Sequence, residues 1–135
     1  MKILVMGLPG AGKSTLAYAL SEKMGAVHLD ADAIRSRYND WDFTVEGRLR
    51  QASRMKYLSD GIEMNGGIAI ADFIAPTVKA REDYEADVIV WMDTIKKGRF
   101  EDTNKLFEPP ENADIIIKSF DYDIEEIECL IGKNL

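Results

Sequence analysis

Gly7-Leu8-Pro9-Gly10-Ala11-Gly12-Lys13-Ser14 fills the pattern G-x-x-x-x-G-K-[ST] at every fixed position. The residues on either side give it the context that this pattern needs. Lys2 to Met6 is a short apolar run that reads as a core strand, and from Lys13 to Met24 the apolar residues Leu16, Ala17, Leu20 and Met24 recur at helical spacing. Strand, glycine-rich loop and helix N-terminus together form a phosphate cradle. The glycines let successive backbone N–H groups face an anion, and the helix dipole adds positive potential. Lys13 then reaches the β- and γ-phosphates of a nucleotide, and the Ser14 hydroxyl ligates Mg²⁺. The competing reading, a glycine turn with an accidental Lys-Ser, requires the flanking strand and helix to be accidental as well.

The same alternation continues down the chain. Ala26 to Leu29 reads as a second strand, followed by a helix over Asp30 to Tyr38 that Asp30 or Asp32 can cap. Thr44, Gly47 and the apolar set Leu49, Ala52, Met55, Leu58 and Ile62 predict a longer helix ending near Asn65-Gly66-Gly67. Ile68 to Ala71 and Val88 to Met92 are continuous apolar runs, each leading into an aspartate, and both read as buried parallel strands. Thr77 to Tyr84 predicts a helix between them, Ile115 to Lys118 a fifth strand, and Ile124 to Ile131 a last helix. Alternating strands and helices imply a doubly wound α/β fold with a parallel sheet, with ligands at the carboxyl ends of the strands. The segment from Thr94 to Asn112, with Lys96, Lys97, Arg99, Lys105 and Pro109-Pro110, has no strong periodicity. It reads as either a mobile basic loop over the site or a plain surface connection.

Length and composition bound the function. A chain of 135 residues with 46% hydrophobic and 30% charged residues suits one compact domain. A net charge of −7 argues against general attraction to nucleic acid or anionic membranes. No apolar run approaches the ~20 residues of a membrane span, and the amino-terminal run is read as a strand, not a signal peptide. The one cysteine, Cys129, excludes an internal disulfide and is compatible with the cytoplasm. Charge is unevenly spread, since Arg35, Arg37, Arg48, Arg50 and Arg54 share one lysine-free stretch. Arginine's planar fork suits phosphate or sulfate, so this stretch is a candidate anion site; the alternative is a solvated helix face paired with acids.

Three aspartates complete the candidate chemistry. Asp30 and Asp32 directly follow the second predicted strand, where a carboxylate can orient an acceptor hydroxyl, take its proton or hold a metal-bound water; helix capping is the alternative for each. Asp72 ends a strand, as the second acidic residue of P-loop enzymes does when it supports Mg²⁺, or else caps the turn at Pro76. Phe43 either stacks on a purine or packs in the core. His28, the sole histidine, is placed within a strand and given no catalytic role.

Together these segments resemble the adenylylsulfate kinase family, whose members phosphorylate the 3′-hydroxyl of adenosine 5′-phosphosulfate. Gly7 through Thr15 looks like the family's P-loop, which implies ATP contacts at Gly7, Pro9, Gly10, Ala11, Gly12, Lys13, Ser14 and Thr15. Leu29-Asp30-Ala31-Asp32-Ala33-Ile34-Arg35 looks like Leu-Asp-Gly-Asp-Asn-Val/Ile-Arg, a more specific match, because many P-loop proteins lack it. Phe43-Thr44-Val45-Glu46-Gly47-Arg48 is similar to Phe-Ser-x-x-Asp-Arg, and Phe73-Ile74-Ala75-Pro76 to Phe-Ile-Ser-Pro. Phe107 through Asn112 is similar to the segment that closes over the adenine of the acceptor. The resemblance thus implies acceptor contacts from Arg35, Phe43, Arg48, Phe73, Ile74 and Phe107, with Phe43 and Phe107 on the two faces of a purine. Gln51 takes the place of the family's asparagine if it reaches the same point. Departures are equally specific: Arg50-Gln51-Ala52-Ser53-Arg54 replaces Glu-Asn-Ile-Arg-Arg, Ala75 replaces serine, Ala33 replaces asparagine, and the lid shrinks to Ile95 through Lys105.

The expectation is therefore an α/β P-loop NTPase fold, with a five-stranded parallel sheet and helices on both faces, forming one kinase domain over residues 1–135. Lys13, Asp30 and Asp32 are its candidate catalytic residues, Ser14 and Asp72 its candidate metal ligands, and ATP and Mg²⁺ its cofactors. The resemblance makes the acceptor adenylylsulfate, a small nucleotide; neither nucleic acid nor membrane is an expected partner, and a homodimer is left open. The alternatives are the same chemistry on another nucleotide or small hydroxyl compound, or an ATP-binding module without kinase activity. A guanine switch is disfavoured because Asn104-Lys105 runs into Leu106-Phe107 rather than Asn-Lys-x-Asp.

Overall fold

A computed structural model describes residues 1–135. In chain order the elements are β1 (Lys2–Met6), α1 (Lys13–Met24), β2 (Val27–Asp30), α2 (Ala31–Tyr38), α3 (Val45–Met64), β3 (Ala69–Asp72), α4 (Val78–Tyr84), β4 (Val88–Met92), α5 (Glu101–Leu106), β5 (Ile115–Ile117) and α6 (Ile124–Lys133). The strands form one parallel sheet in the order β2-β3-β1-β4-β5. This is the expected five-stranded P-loop NTPase arrangement, and the predicted strands and long helices fall where periodicity puts them, within a residue or two at their ends.

Helices cover both faces, which explains why β1 is apolar at consecutive positions instead of alternate ones. Successive side chains leave opposite faces of a strand. Ile3 and Val5 accordingly pack with Leu16, Leu20, Ile127 and Ile131 of α1 and α6, while Leu4 and Met6 pack with Met55, Phe73 and Tyr84 on the other side. Met55 is fully buried, and truncating it to alanine should cost about 2–5 kcal/mol.

Register then assembles the strand ends. Val5 pairs with Asp72 and Asp30 also pairs with Asp72, so the loop after β1 and the carboxyl ends of β2 and β3 meet. Gly7 must be glycine for this approach: its φ is 151°, and a Cβ there would stand 2.8 Å from the Met92 carbonyl oxygen. Gly47 is similarly constrained, since its Cβ would lie 2.1 Å from the Asp42 carbonyl oxygen, and this contact seats the Asp42-Phe43 loop against the start of α3.

Two expectations are corrected. Leu49, assigned to the apolar stripe of α3, is exposed, because the side of the helix that carries it faces a cavity and not the sheet. The segment from Thr94 to Asn112 contains the short helix α5, which is too brief to show a period in the sequence. Asn104 closes it locally, its amide donating to the Gly98 carbonyl at 2.9 Å and its oxygen accepting from the Gly98 N–H at 2.8 Å. No helix is long and apolar enough to cross a membrane.

Candidate active site

The glycine-rich loop ends at Gly12, which caps α1 in a left-handed conformation (φ 93°) with no side chain bonded to the helix N-terminus. The first-turn N–H groups are therefore open to an anion. Lys13 lies back across the loop, its Nζ donating to the Leu8 carbonyl at 3.0 Å. Burial lowers its pKa, while Asp72, Asp32 and Asp30 oppose that shift.

Below Lys13 the acids converge. The Ser14 hydroxyl lies 2.9 Å from Asp30 Oδ1 and 3.4 Å from Asp72 Oδ1. Asp30 also caps α2, accepting from the Ala33 N–H at 3.1 Å, so capping and site placement hold together for this residue. Asp32, in the first turn of α2, is not a cap; its exposed carboxylate lines the cavity. Asp72 does not cap the Pro76 turn, since Thr77 caps α4 by accepting from the Ala80 N–H. Its second oxygen, Oδ2, instead meets His28 Nε2. Desolvation pushes the Asp72 carboxyl up to about 6, with His28 opposing and Asp30 reinforcing the shift. Ligand atoms of His28, Asp30 and Asp72 all lie within 4.8 Å of one another. Hydroxyl and carboxylate oxygens are the donors a hard divalent cation takes, so Ser14, Asp30 and Asp72 fit Mg²⁺. His28 is the residue that sequence reasoning passed over. Its only signal was a polar ring two positions before Asp30, on the same face of the strand.

From here a cavity of about 1200 Å³ extends past α2 and α3 to the α4 and α5 segments. Lys13, Asp30, Asp32, Arg35, Phe43, Arg48, Gln51, Phe73 and Ile74 all line it. The arginine-rich stretch divides into two groups. Arg50 donates to Asp40 and Asp42, and Arg54 to Asp40, which hold the Asp40 carboxyl below the usual carboxylate range, the Arg50 hydrogen bond first. Those two guanidinium groups are thus neutralised. Arg35 donates to the carbonyls of Asp40 and Asp42 at 3.0 and 3.1 Å and stands 4.4 Å from the centre of the Phe43 ring. Arg48 donates to the Phe43 carbonyl at 2.9 Å and to Thr103 Oγ1 at 3.2 Å. Carbonyls and a hydroxyl leave the positive charge of both uncompensated, facing the cavity.

Two acceptor residues stand differently from the expectation. Gln51 is buried, and its Nε2 donates to the Ala31 carbonyl at 2.9 Å, so the amide nitrogen braces α3 against α2. Phe107 lies apart from Phe43, in a smaller cleft with Trp91, Leu8 and Pro109, where its ring centroid is 6.4 Å from that of Trp91. The apolar surface of β4 draws it there. Another exposed aromatic on the wall of the large cavity, beside Trp41 and Phe43, is Phe100, which sequence reasoning missed inside an aperiodic segment. Of the basic residues in that segment Arg99 lines the cavity, whereas Lys96 and Lys97 pair with Asp93 and Glu101.

A phosphate loop, a lysine poised to leave a carbonyl, and clustered carboxylates at the ends of parallel strands define an ATP-dependent phosphotransferase of the P-loop kinase class. The family model for adenylylsulphate kinase matches residues 1–97. The chain belongs to the adenylylsulphate kinase family. It is 25% identical over 158 residues to a probable adenylyl-sulfate kinase of Pseudomonas aeruginosa, covering 95% of this chain and 74% of that protein. A probable adenylyl-sulfate kinase of Synechocystis is 26% identical over 160 residues, covering 97% and 89%. The hexameric APS kinase from Thiobacillus denitrificans superimposes with a TM-score of 0.75 at 27% identity, over 99% of this chain and 28% of that one.

Proposed function

We propose that this chain, as one kinase domain over residues 1–135, transfers the γ-phosphoryl group of MgATP to the 3′-hydroxyl of adenosine 5′-phosphosulfate. The observation that carries the reading is the exposed Phe43 ring flanked by Arg35 and Arg48, in one cavity with Lys13 and Asp32. An aromatic face beside two uncompensated guanidinium groups suits a purine bearing anionic groups. Phe100, rather than Phe107, is the other exposed phenyl ring on the wall of that cavity.

Binding of the triphosphate places it on the open N–H groups of α1, and Lys13 exchanges the Leu8 carbonyl for the β- and γ-oxygens. Asp32, exposed and unbonded at the cavity wall, orients the acceptor hydroxyl and takes its proton as the new oxygen–phosphorus bond forms and the bond to the ADP oxygen breaks. Ser14, Asp30 and Asp72 would hold Mg²⁺, which supplies neutralisation of the β- and γ-oxygens when bound. The alanines at 33 and 75 and the bonded Gln51 amide remove polar acceptor contacts, which favours a second reading in which another nucleotide or small hydroxyl compound is the acceptor. A coupled ADP-release assay decides: release that depends on adenylylsulfate supports the first reading, and release with another nucleotide or a small sugar but not with adenylylsulfate supports the second.

A further inference from the structure

Asp72 is almost wholly buried, and its two oxygens have different partners. Oδ1 faces the Ser14 hydroxyl and the metal side of the site, whereas Oδ2 is met by the imidazole of His28. Besides these two partners, only the neighbouring Asp30 carboxyl acts on it, and that like charge repels rather than anchors it. The terminal torsion of an aspartate is broad, and a partial turn about it swings Oδ1 and its lone pairs away from the direction of the ion. A donor fixed on Oδ2 removes that freedom.

His28 is held to that position by the fold. It lies on β2, an edge strand, paired with Ile70 two residues before the Asp30–Asp72 pair, so the ring sits just below the carboxylates it serves. The ring is 17% exposed, and the one polar partner recorded for it is Asp72. We infer that His28 is a positioning residue that fixes the Asp72 carboxylate for the divalent ion, through the hydrogen bond from Nε2 to Oδ2. The inference rests on the reading of Asp72 as a metal-supporting residue. Outer groups that orient a ligand commonly change metal affinity 10- to 100-fold when removed.

The test is Mn²⁺ binding to the ADP-loaded full chain, followed by paramagnetic resonance, together with ADP binding in excess chelator. His28→Leu removes the donor and His28→Gln returns an N–H at the reach of Nε2. The expected result is a loss of Mn²⁺ affinity of about tenfold in His28→Leu, recovery to within about threefold in His28→Gln, and unchanged metal-free ADP binding in both. Asp72→Asn should lose Mn²⁺ affinity more severely. If Asp72→Asn weakens Mn²⁺ and His28→Leu does not, the positioning role is overturned while the reading of Asp72 stands. If Asp72→Asn leaves Mn²⁺ binding unchanged, both fall. Equal losses in His28→Leu and His28→Gln, or a parallel loss of metal-free ADP binding, would show a merely structural side chain and overturn the inference.

Discussion

Arg48 Nη2 donates to Thr103 Oγ1 at 3.2 Å, tying the start of α3 to α5 across the cavity. Thr103 is 2% exposed, so the hydroxyl has no water to replace this partner. The bond couples an anion-facing arginine to the shortened lid.

Thr103→Val keeps the volume and removes the hydroxyl. A hydrogen bond to a charged group contributes about 1.5–3 kcal/mol, and at the lower end its loss corresponds to roughly a tenfold change. The acceptor Michaelis constant should rise by about that factor, with the ATP Michaelis constant nearly unchanged. Steady-state kinetics with each substrate varied separately checks this; a change confined to ATP would detach Thr103 from the acceptor side.

Lys13→Ala should lower turnover by about 10²–10³-fold, the scale of removing one preorganised charge from a phosphoryl-transfer site. Its effect on folding should be small or stabilising, because burial lowers the lysine's pKa and its one bond goes to a loop carbonyl. A thermal scan beside single-turnover kinetics separates the two effects. Full turnover in a folded variant contradicts the assignment.

What the sequence made legible follows from the range of each signal. The loop from Gly7 to Ser14 is contiguous, and its chemistry lies within a few residues, so strand, loop and helix could be read together. The apolar runs at Ile68 and Val88 are buried on both faces, which makes them strands without alternation. Long-range pairings left no such mark. Asp30 and Asp72 meet because β2 and β3 are neighbours in register, and the role of His28 exists only through that pairing. The motif from Phe107 to Asn112 carries only local neighbours, whereas the Phe107 ring is placed by Trp91, sixteen positions earlier, and the six-residue α5 is too short to show a period.

Asp72 predicts a trade of stability against function. Burial raises its pKa from 3.8 to about 6, so the folded chain binds more protons than the unfolded one between those values. Stability of the metal-free protein is then lost as pH rises through that window, by about 1–3 kcal/mol in all. Asp72→Asn has no such proton to lose. In chelator and without nucleotide, the stability advantage of the variant over the wild type should grow from about pH 4 to pH 6 and level off above, while MgATP stabilises it less than the wild type. Denaturant midpoints across that range measure the difference; an advantage that shrinks with rising pH contradicts the sign.

The three aromatic residues should separate by experiment into acceptor and scaffold. Phe43 and Phe100 are both half-exposed on the walls of the large cavity, and stacking of a base on an aromatic face is worth about 1–3 kcal/mol. Phe43→Ala and Phe100→Ala should each weaken use of the acceptor by about tenfold or more, at little cost in folding, since their rings are already wet. Phe107 sits against Trp91 with the Arg81 guanidinium 5.6 Å from its ring centre, so Phe107→Ala should lower the thermal midpoint and leave the acceptor Michaelis constant close to that of the wild type. Acceptor kinetics and melting curves on the three variants test the division. An acceptor defect in Phe107→Ala with none in Phe100→Ala would return the second purine face to the position that the family resemblance implied.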